Sequence, residues 1–216
     1  MQPVPLSDTS ILIPIGSSID FEVNRRVHML AAALTNDSPL GIVETVPAYA
    51  SLVVHYDPLL LTQPQALDWI NTRIDVLYSA ATEHRPTKQI DIPVRYGAEY
   101  GQDLEFVARH CQMGVEDVIR LHSQVIYTVY MIGFTPGFAY LGRLPDALMT
   151  PRLETPRAIV RAGTVAIAGS QTAVYPVDSP GGWRLIGHTQ LAPFDPRRDH
   201  PFLFAPGDTI RFVPDA

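Results

Sequence analysis

A second cysteine is missing from this chain. Cys111 stands alone, which excludes an internal disulfide and any metal site built on several thiolates. Lysine is almost missing too: Lys88 is the only one, so nearly all positive charge is arginine, whose planar fork suits bidentate carboxylate or phosphate recognition. A formal net charge of −6 leaves no basic face for a phosphate backbone, so no nucleic-acid partner is expected. No apolar run reaches the roughly 18 residues a membrane span needs. Met1 to Ser10 carry neither a basic cluster nor an apolar segment, so no secretory signal is expected and the reading is cytoplasmic. The loops G-x-x-x-x-G-K-[ST], G-x-G-x-x-G and G-x-S-x-G are absent. The histidines at 28, 55, 84, 110, 122, 188 and 200 lack ligand spacing, so no metal is assigned.

What is present divides into two parts. Thr9 to Ile15 is an apolar run, followed by Ser17 and Asp20 in capping-box spacing. Val23, Val27, Leu30, Ala31 and Leu34 then repeat on one helical face. Ile42 to Val46 and Ser51 to Tyr56 read as strands. A second helix starts at Pro64, with Leu67, Ile70, Ile74, Leu77, Tyr78 and Ala81 as its stripe. The order strand, helix, strand, strand, helix, closed by a strand near Ile90, predicts two helices on an antiparallel sheet. The polar stretch Glu83 to Gln89 marks a boundary. The fold class is therefore α+β, with a small ferredoxin-like sandwich over 1–88 and a β-barrel domain over 89–216.

The second part opens with a strand over Ile90 to Tyr96. Two short amphipathic helices follow, carried by Leu104, Val107, Ala108 and Cys111 and by Val115, Val118, Ile119 and His122; Val125 to Ile132 reads as a buried strand. From Gly133 onward short β-prone runs alternate with Gly and Pro clusters, the spacing of a barrel or sandwich.

Three segments of this part hold the candidate chemistry. Gly133 to Gly142 packs three glycines (Gly137 among them), Pro136 and the aromatics Phe134, Phe138 and Tyr140 into ten residues. Such a loop walls a pocket or forms a tight buried corner. Gly163 to Thr172 delivers Gly169, Ser170, Gln171 and Thr172 from the end of a strand, where an amide and small residues bind polar atoms or simply turn a hairpin. Asp178 to Trp183, running on to His188, offers the backbone N–H groups of Gly181 and Gly182 to an anion, or is a hairpin with Trp183 in the core. His122, on an apolar helical face before the central strand, is a satisfied core residue or a catalyst. Ser179, His188 and Asp195 are imaginable as a triad, though nothing in their spacing brings them together.

At these residues the chain resembles the B-type subunit of the bacterial ATP-dependent 5-oxoprolinases, a family that includes KipI-type sensor-kinase inhibitors and is similar to half of the urea carboxylase carboxyltransferase region. The matching segments are V-P-A-Y-A-S-L-V-V-H-Y-D-P (46–58), I-P-V-R-Y-G-A-E-Y-G-Q-D-L (92–104), Y-M-I-G-F-T-P-G-F-A-Y-L-G (130–142), P-R-L-E-T-P-R (151–157), A-G-T-V-A-I-A-G-S-Q-T (162–172), Y-P-V-D-S-P-G-G-W (175–183) and P-G-D-T-I-R-F (206–212). The resemblance implies a cyclophilin-like barrel, a partner of the family's C type, a third lactamase subunit, a small lactam substrate and ATP with magnesium as co-substrate. Ala139, Arg161, Ala173 and His188 depart from the family pattern. On this reading His122 and Gln171 are the catalytic candidates. Phe134, Pro136, Gly137, Phe138, Tyr140, Gly169, Thr172, Gly181, Gly182, Trp183, Arg184 and His188 line the pocket, and Arg152 or Arg157 adds charge. Gln171→Ala and Phe138→Ala are expected to cut turnover with little loss of melting temperature. The rival expectations are an inhibitor docking on a sensor histidine kinase and a carboxyltransferase half.

Overall fold

The computed structural model describes residues 1–36, 38–79 and 88–215. Contacts within the chain divide it into two compact units, Met1–Pro86 and Thr87–Ala216. The expected boundary at Glu83 to Gln89 falls mostly on residues 80–87, outside the described residues, as do Ala81 of the second helical stripe and the side chains of Leu77 and Tyr78.

In the first unit β1 (Val4–Ser7), β2 (Ser10–Pro14), α1 (Phe21–Asn36), β3 (Ile42–Pro47), β4 (Ser51–Tyr56) and α2 (Gln63–Ser79) follow in order. The sheet runs β1-β2-β4-β3 with all neighbours antiparallel. Alternation in β2 and β4 sends Ile11, Ile13, Leu52, Val54 and Tyr56 to one face, where Val27, Leu30 and Leu34 of α1 and Ile70 and Ile74 of α2 cover them. Asp20 itself caps α1, its Oδ1 accepting the Val23 N–H at 3.1 Å, so Ser17 is not the first residue of a capping box. At the start of α2, Gln65 Oε1 accepts both the Thr62 N–H at 2.9 Å and the Thr62 hydroxyl at 2.6 Å. The fourth strand is the four-residue, solvent-exposed β1; the strand near Ile90 belongs elsewhere.

That strand, β5 (Gln89–Tyr96), starts the second unit. α3 (Leu104–His110), α4 (Val115–Ser123), β6 (Ile126–Ile132) and β7 (Ala139–Gly142) follow, then a 3-10 turn over Asp146–Leu148, β8 (Arg157–Val160), β9 (Thr164–Ala168), β10 (Gln171–Val174), β11 (Ser179–Gly181), β12 (Arg184–His188) and β13 (Thr209–Pro214). Seven of these close a barrel in the order β10-β7-β6-β13-β5-β12-β9, and β8 and β11 pair outside it. β5 joins the barrel because β13 runs parallel to it over six consecutive residue pairs, Thr209↔Gln89 to Pro214↔Val94. That pairing places Ile92 and Val94 fully inside. Val129, Leu141, Ile167 and Phe212 meet them in the interior, and α4 packs across with Val118 and His122. A second, smaller core lies apart from this one, built from Phe138, Val160, Ala166, Ala168, Ala173, Tyr175, Trp183 and Leu185.

Candidate functional site

The small core is where the three glycine-bearing segments meet. Phe138 lies at its centre, 2 % exposed, with ring centroids of Phe134, Tyr140, Tyr175 and Trp183 at 5.4, 4.8, 5.3 and 5.6 Å. All four contacts are edge-to-face, the arrangement the ring quadrupoles prefer. Gly137 turns with φ of +81° against Pro193 and Phe194, so a side chain there would be both strained and crowded. Phe134 is different. It holds a left-handed φ of 66° without being glycine, a conformation that costs about 1–2 kcal/mol, and its ring stays largely exposed. Pro136 is exposed beside it. The second segment joins through Ala166 and Ala168 in the small core. The third joins through Trp183.

Arginines ring this corner. Arg157 donates to Asp103 Oδ1 at 2.9 Å. Arg184 lies 3.9 Å from the same oxygen, donates to the Pro151 carbonyl at 3.2 Å, and stacks 3.7 Å above Phe106. Asp103 stands before α3 like a cap but makes no side-chain cap bond. Its Oδ2 instead accepts the Leu185 N–H at 2.8 Å, fastening α3 to β12. Arg184, expected to line the pocket, is therefore mostly a structural tie. Arg152 differs from both: its guanidinium sits 5.8 Å from the Trp183 ring centre and its side chain is exposed. Every other arginine described in this unit has a carboxylate oxygen within 4.0 Å; among the described residues Arg152 has none.

His122 is fully buried in the barrel. Its Nδ1 is 2.8 Å from the Tyr96 hydroxyl and its Nε2 2.9 Å from Thr172 Oγ1. Thr172 donates to the Ala166 carbonyl at 3.2 Å, so it accepts from His122 Nε2–H, and Nδ1 in turn accepts from Tyr96. The chain of donors runs one way, through a neutral imidazole. Desolvation pushes the His122 pKa down to about 3 and the Tyr96 pKa up. Phe212 stacks on the ring at 4.5 Å. With both nitrogens engaged and no exposed surface, His122 braces the barrel, and Thr172 is its partner rather than a pocket group.

The remaining candidates spread out. Gly169 is exposed with φ of +55° and open space around it, and Gln171 is half-buried at the start of β10. Gly181 lacks a side chain because the Tyr175 hydroxyl fills the space a Cβ would take, while a Cβ at Gly182 would meet Pro156 only at an ordinary 3.6 Å. His188 donates from Nε2 to the Ala162 carbonyl at 2.9 Å and Asp195 pairs with Arg197 and Arg198, so no triad with Ser179 forms. Sequence reasoning missed Asp103, Phe106 and Tyr175. For Asp103 the signal was an acid just before an amphipathic helix, which reads as a cap.

The residue patterns of the carboxyltransferase domain, subdomain C and D, match the chain over residues 1–204. It is 42% identical over 212 residues to the 5-oxoprolinase B subunit of Escherichia coli O157:H7, covering 97% of this chain and 94% of that protein. It is 41% identical over 216 residues to the 5-oxoprolinase B subunit of Bacillus subtilis, covering 96% and 90%. Among solved structures, TTHA0988 superposes with a TM-score of 0.83 at 39% identity; 96% of this chain corresponds to 40% of that longer polypeptide.

Proposed function

Because the chain belongs to the carboxyltransferase-domain family of subdomains C and D, we propose that it is the B subunit of a 5-oxoprolinase, which opens 5-oxo-L-proline to L-glutamate coupled to ATP hydrolysis. The observation that carries this reading is the likeness, over nearly the whole chain, to two proteins of that name. It favours the hydrolase over a kinase inhibitor or a carboxyltransferase half. The partners are a C-type subunit of the same enzyme class and a third, lactamase subunit. The chain works in the cytoplasm, and no helix among the described residues is long and apolar enough to cross a membrane.

The chemistry sets what the assembly must do. A lactam amide is a poor electrophile. Transfer of the ATP γ-phosphoryl group to its oxygen, releasing ADP, would let water add to the ring carbon. The ring C–N bond would then break with its electron pair going to the protonated nitrogen, and the acyl phosphate left behind would be hydrolysed to the carboxylate and inorganic phosphate. ATP with magnesium supplies that activation as co-substrate. This chain's own residues do not fit a magnesium triphosphate by themselves. Among the described residues no three His, Cys, Asp or Glu side chains gather as metal ligands, Asp103 holds Arg157 and Arg184, and Gly181 is shaped by Tyr175. The part this chain plays is to bind and orient the lactam at the aromatic corner, where rings exclude water and the Phe134 to Tyr140 loop forms one wall. Mixing the chain with its two partner subunits should give ADP release that depends on 5-oxo-L-proline. A complete mixture that releases no ADP above the lactam-free control refutes the proposal.

A further inference from the structure

We propose that Arg152, seated on the ring of Trp183, is the carboxylate-binding residue of this corner, and that it takes the carboxylate of a small acid; if the proposed function holds, that acid is 5-oxo-L-proline. Three observations lead there. First, Arg152 alone among the described arginines of its unit lacks a carboxylate within 4.0 Å, and none of its N–H groups makes a hydrogen bond to a described residue. A guanidinium that rests on an aromatic ring uses its face and leaves in-plane donors for a bidentate acceptor. Second, its position is built. Pro151 is tied to Arg184 by a 3.2 Å hydrogen bond, and Leu153 N–H donates to the Gly182 carbonyl at 2.7 Å, so both neighbours of Arg152 are pinned to the segment that carries Trp183. Third, its charge is felt by two phenols of the same corner. Burial raises the pKa of Tyr140 and of Tyr175, and the positive charge of Arg152 opposes both shifts.

These features suit a single compact anion with an apolar body. Charge-assisted bonds to Arg152 would hold the carboxylate while the ring of the acid lies against Tyr140 and Phe134. An uncharged lactam of the same shape lacks the first of these contacts. Arg157 does not duplicate the role, since Asp103 already neutralises it.

The test follows the indole N–H resonance of Trp183 by NMR in the full-length chain, assigned with a Trp183→Phe variant. 5-Oxo-L-proline should shift it in a saturable way, whereas 2-pyrrolidinone, the same lactam without the carboxylate, should bind at least about tenfold more weakly. Arg152→Ala should weaken 5-oxo-L-proline by at least about tenfold and erase the difference between the two lactams. Arg152→Lys, which keeps the charge and loses the fork, should fall between, and melting curves check that both variants fold. Equal shifts with both lactams, unchanged affinity in Arg152→Ala, or a response to inorganic phosphate in place of the acid would each overturn the assignment. So would a Trp183 signal that answers only to the added C-type partner, since Arg152 would then meet an acidic side chain of that protein. Failure here is separable from failure of the proposed function: lactam-dependent ADP release with an unaltered KM for 5-oxo-L-proline in Arg152→Ala leaves the hydrolase standing and removes this role. Carboxylate binding without any ADP release does the reverse.

Discussion

The inside and the outside of the barrel wall handle polar groups in opposite ways. Inside, Tyr96, His122, Thr172 and the Ala166 carbonyl form a closed line in which each donor has its acceptor. Outside, the small core around Phe138 is ringed by Asp103, Arg157 and Arg184 in mutual contact, and then by Arg152, which has no such partner among the described residues. Both regions are rich in aromatics and both contain titratable groups, so composition does not separate them. What separates them is closure. A buried polar group must be matched within the fold because nothing else can reach it, while an exposed cation over a ring stays available to a visitor.

That contrast can be broken by experiment, and the largest effect should come from the outer core. Phe138→Ala removes a ring 2 % exposed and in contact with four others, and should cost about 3–5 kcal/mol of stability, read by urea unfolding. Activity and melting temperature should therefore fall together, against the expectation that this residue only walls a pocket. A stable but inactive variant would return Phe138 to direct ligand contact.

The inner region should show itself through pH. The folded pKa of His122, about 3, lies below the ordinary value near 6.5, so the unfolded chain takes up a proton first as pH drops. The contribution of the neutral ring is complete above about pH 6.5 and is lost as pH falls toward 3, at up to about 1.4 kcal/mol per pH unit. Unfolding free energies measured from pH 7 to pH 4 should follow that slope in the wild type, and a His122→Gln variant should lose this component. If the two profiles run parallel, the imidazole is not the buried neutral group described.

Arg152→Ala should have the smallest effect on stability, within about 0.5 kcal/mol, as an exposed side chain without an ion pair to any described residue. A drop of about 2 kcal/mol or more on unfolding would mean that Arg152 is a brace like Arg184, and the contrast between closed and open polar groups would fail at its key residue.

Legibility followed the range of the interactions. The stripe Val27, Leu30, Ala31 and Leu34 is a local period, and the helix it predicts is there. β1 escaped because a short exposed edge strand has no buried face to impose alternation. Ile90 to Tyr96 was readable as a strand that opens the barrel domain or closes the first sheet, and the partner that decides between them, β13, lies about 120 residues downstream in the chain. In the site, the aromatic and glycine-rich segments stood out by composition, and they do converge. Which rings are packed and which are presented did not show: Phe138 and Trp183 are buried, Phe134 is not.

The chain's own residues determined the kinds of element, the exclusion of an internal disulfide and the three segments that build the corner, because periodicity and residue type act over a few neighbours. Only the tertiary structure decided that His122 is sealed and that Arg152 meets no carboxylate among the described residues. Those facts depend on which carboxylates, hydroxyls and rings arrive from distant parts of the chain, and burial is a property of the closed barrel rather than of any segment in it.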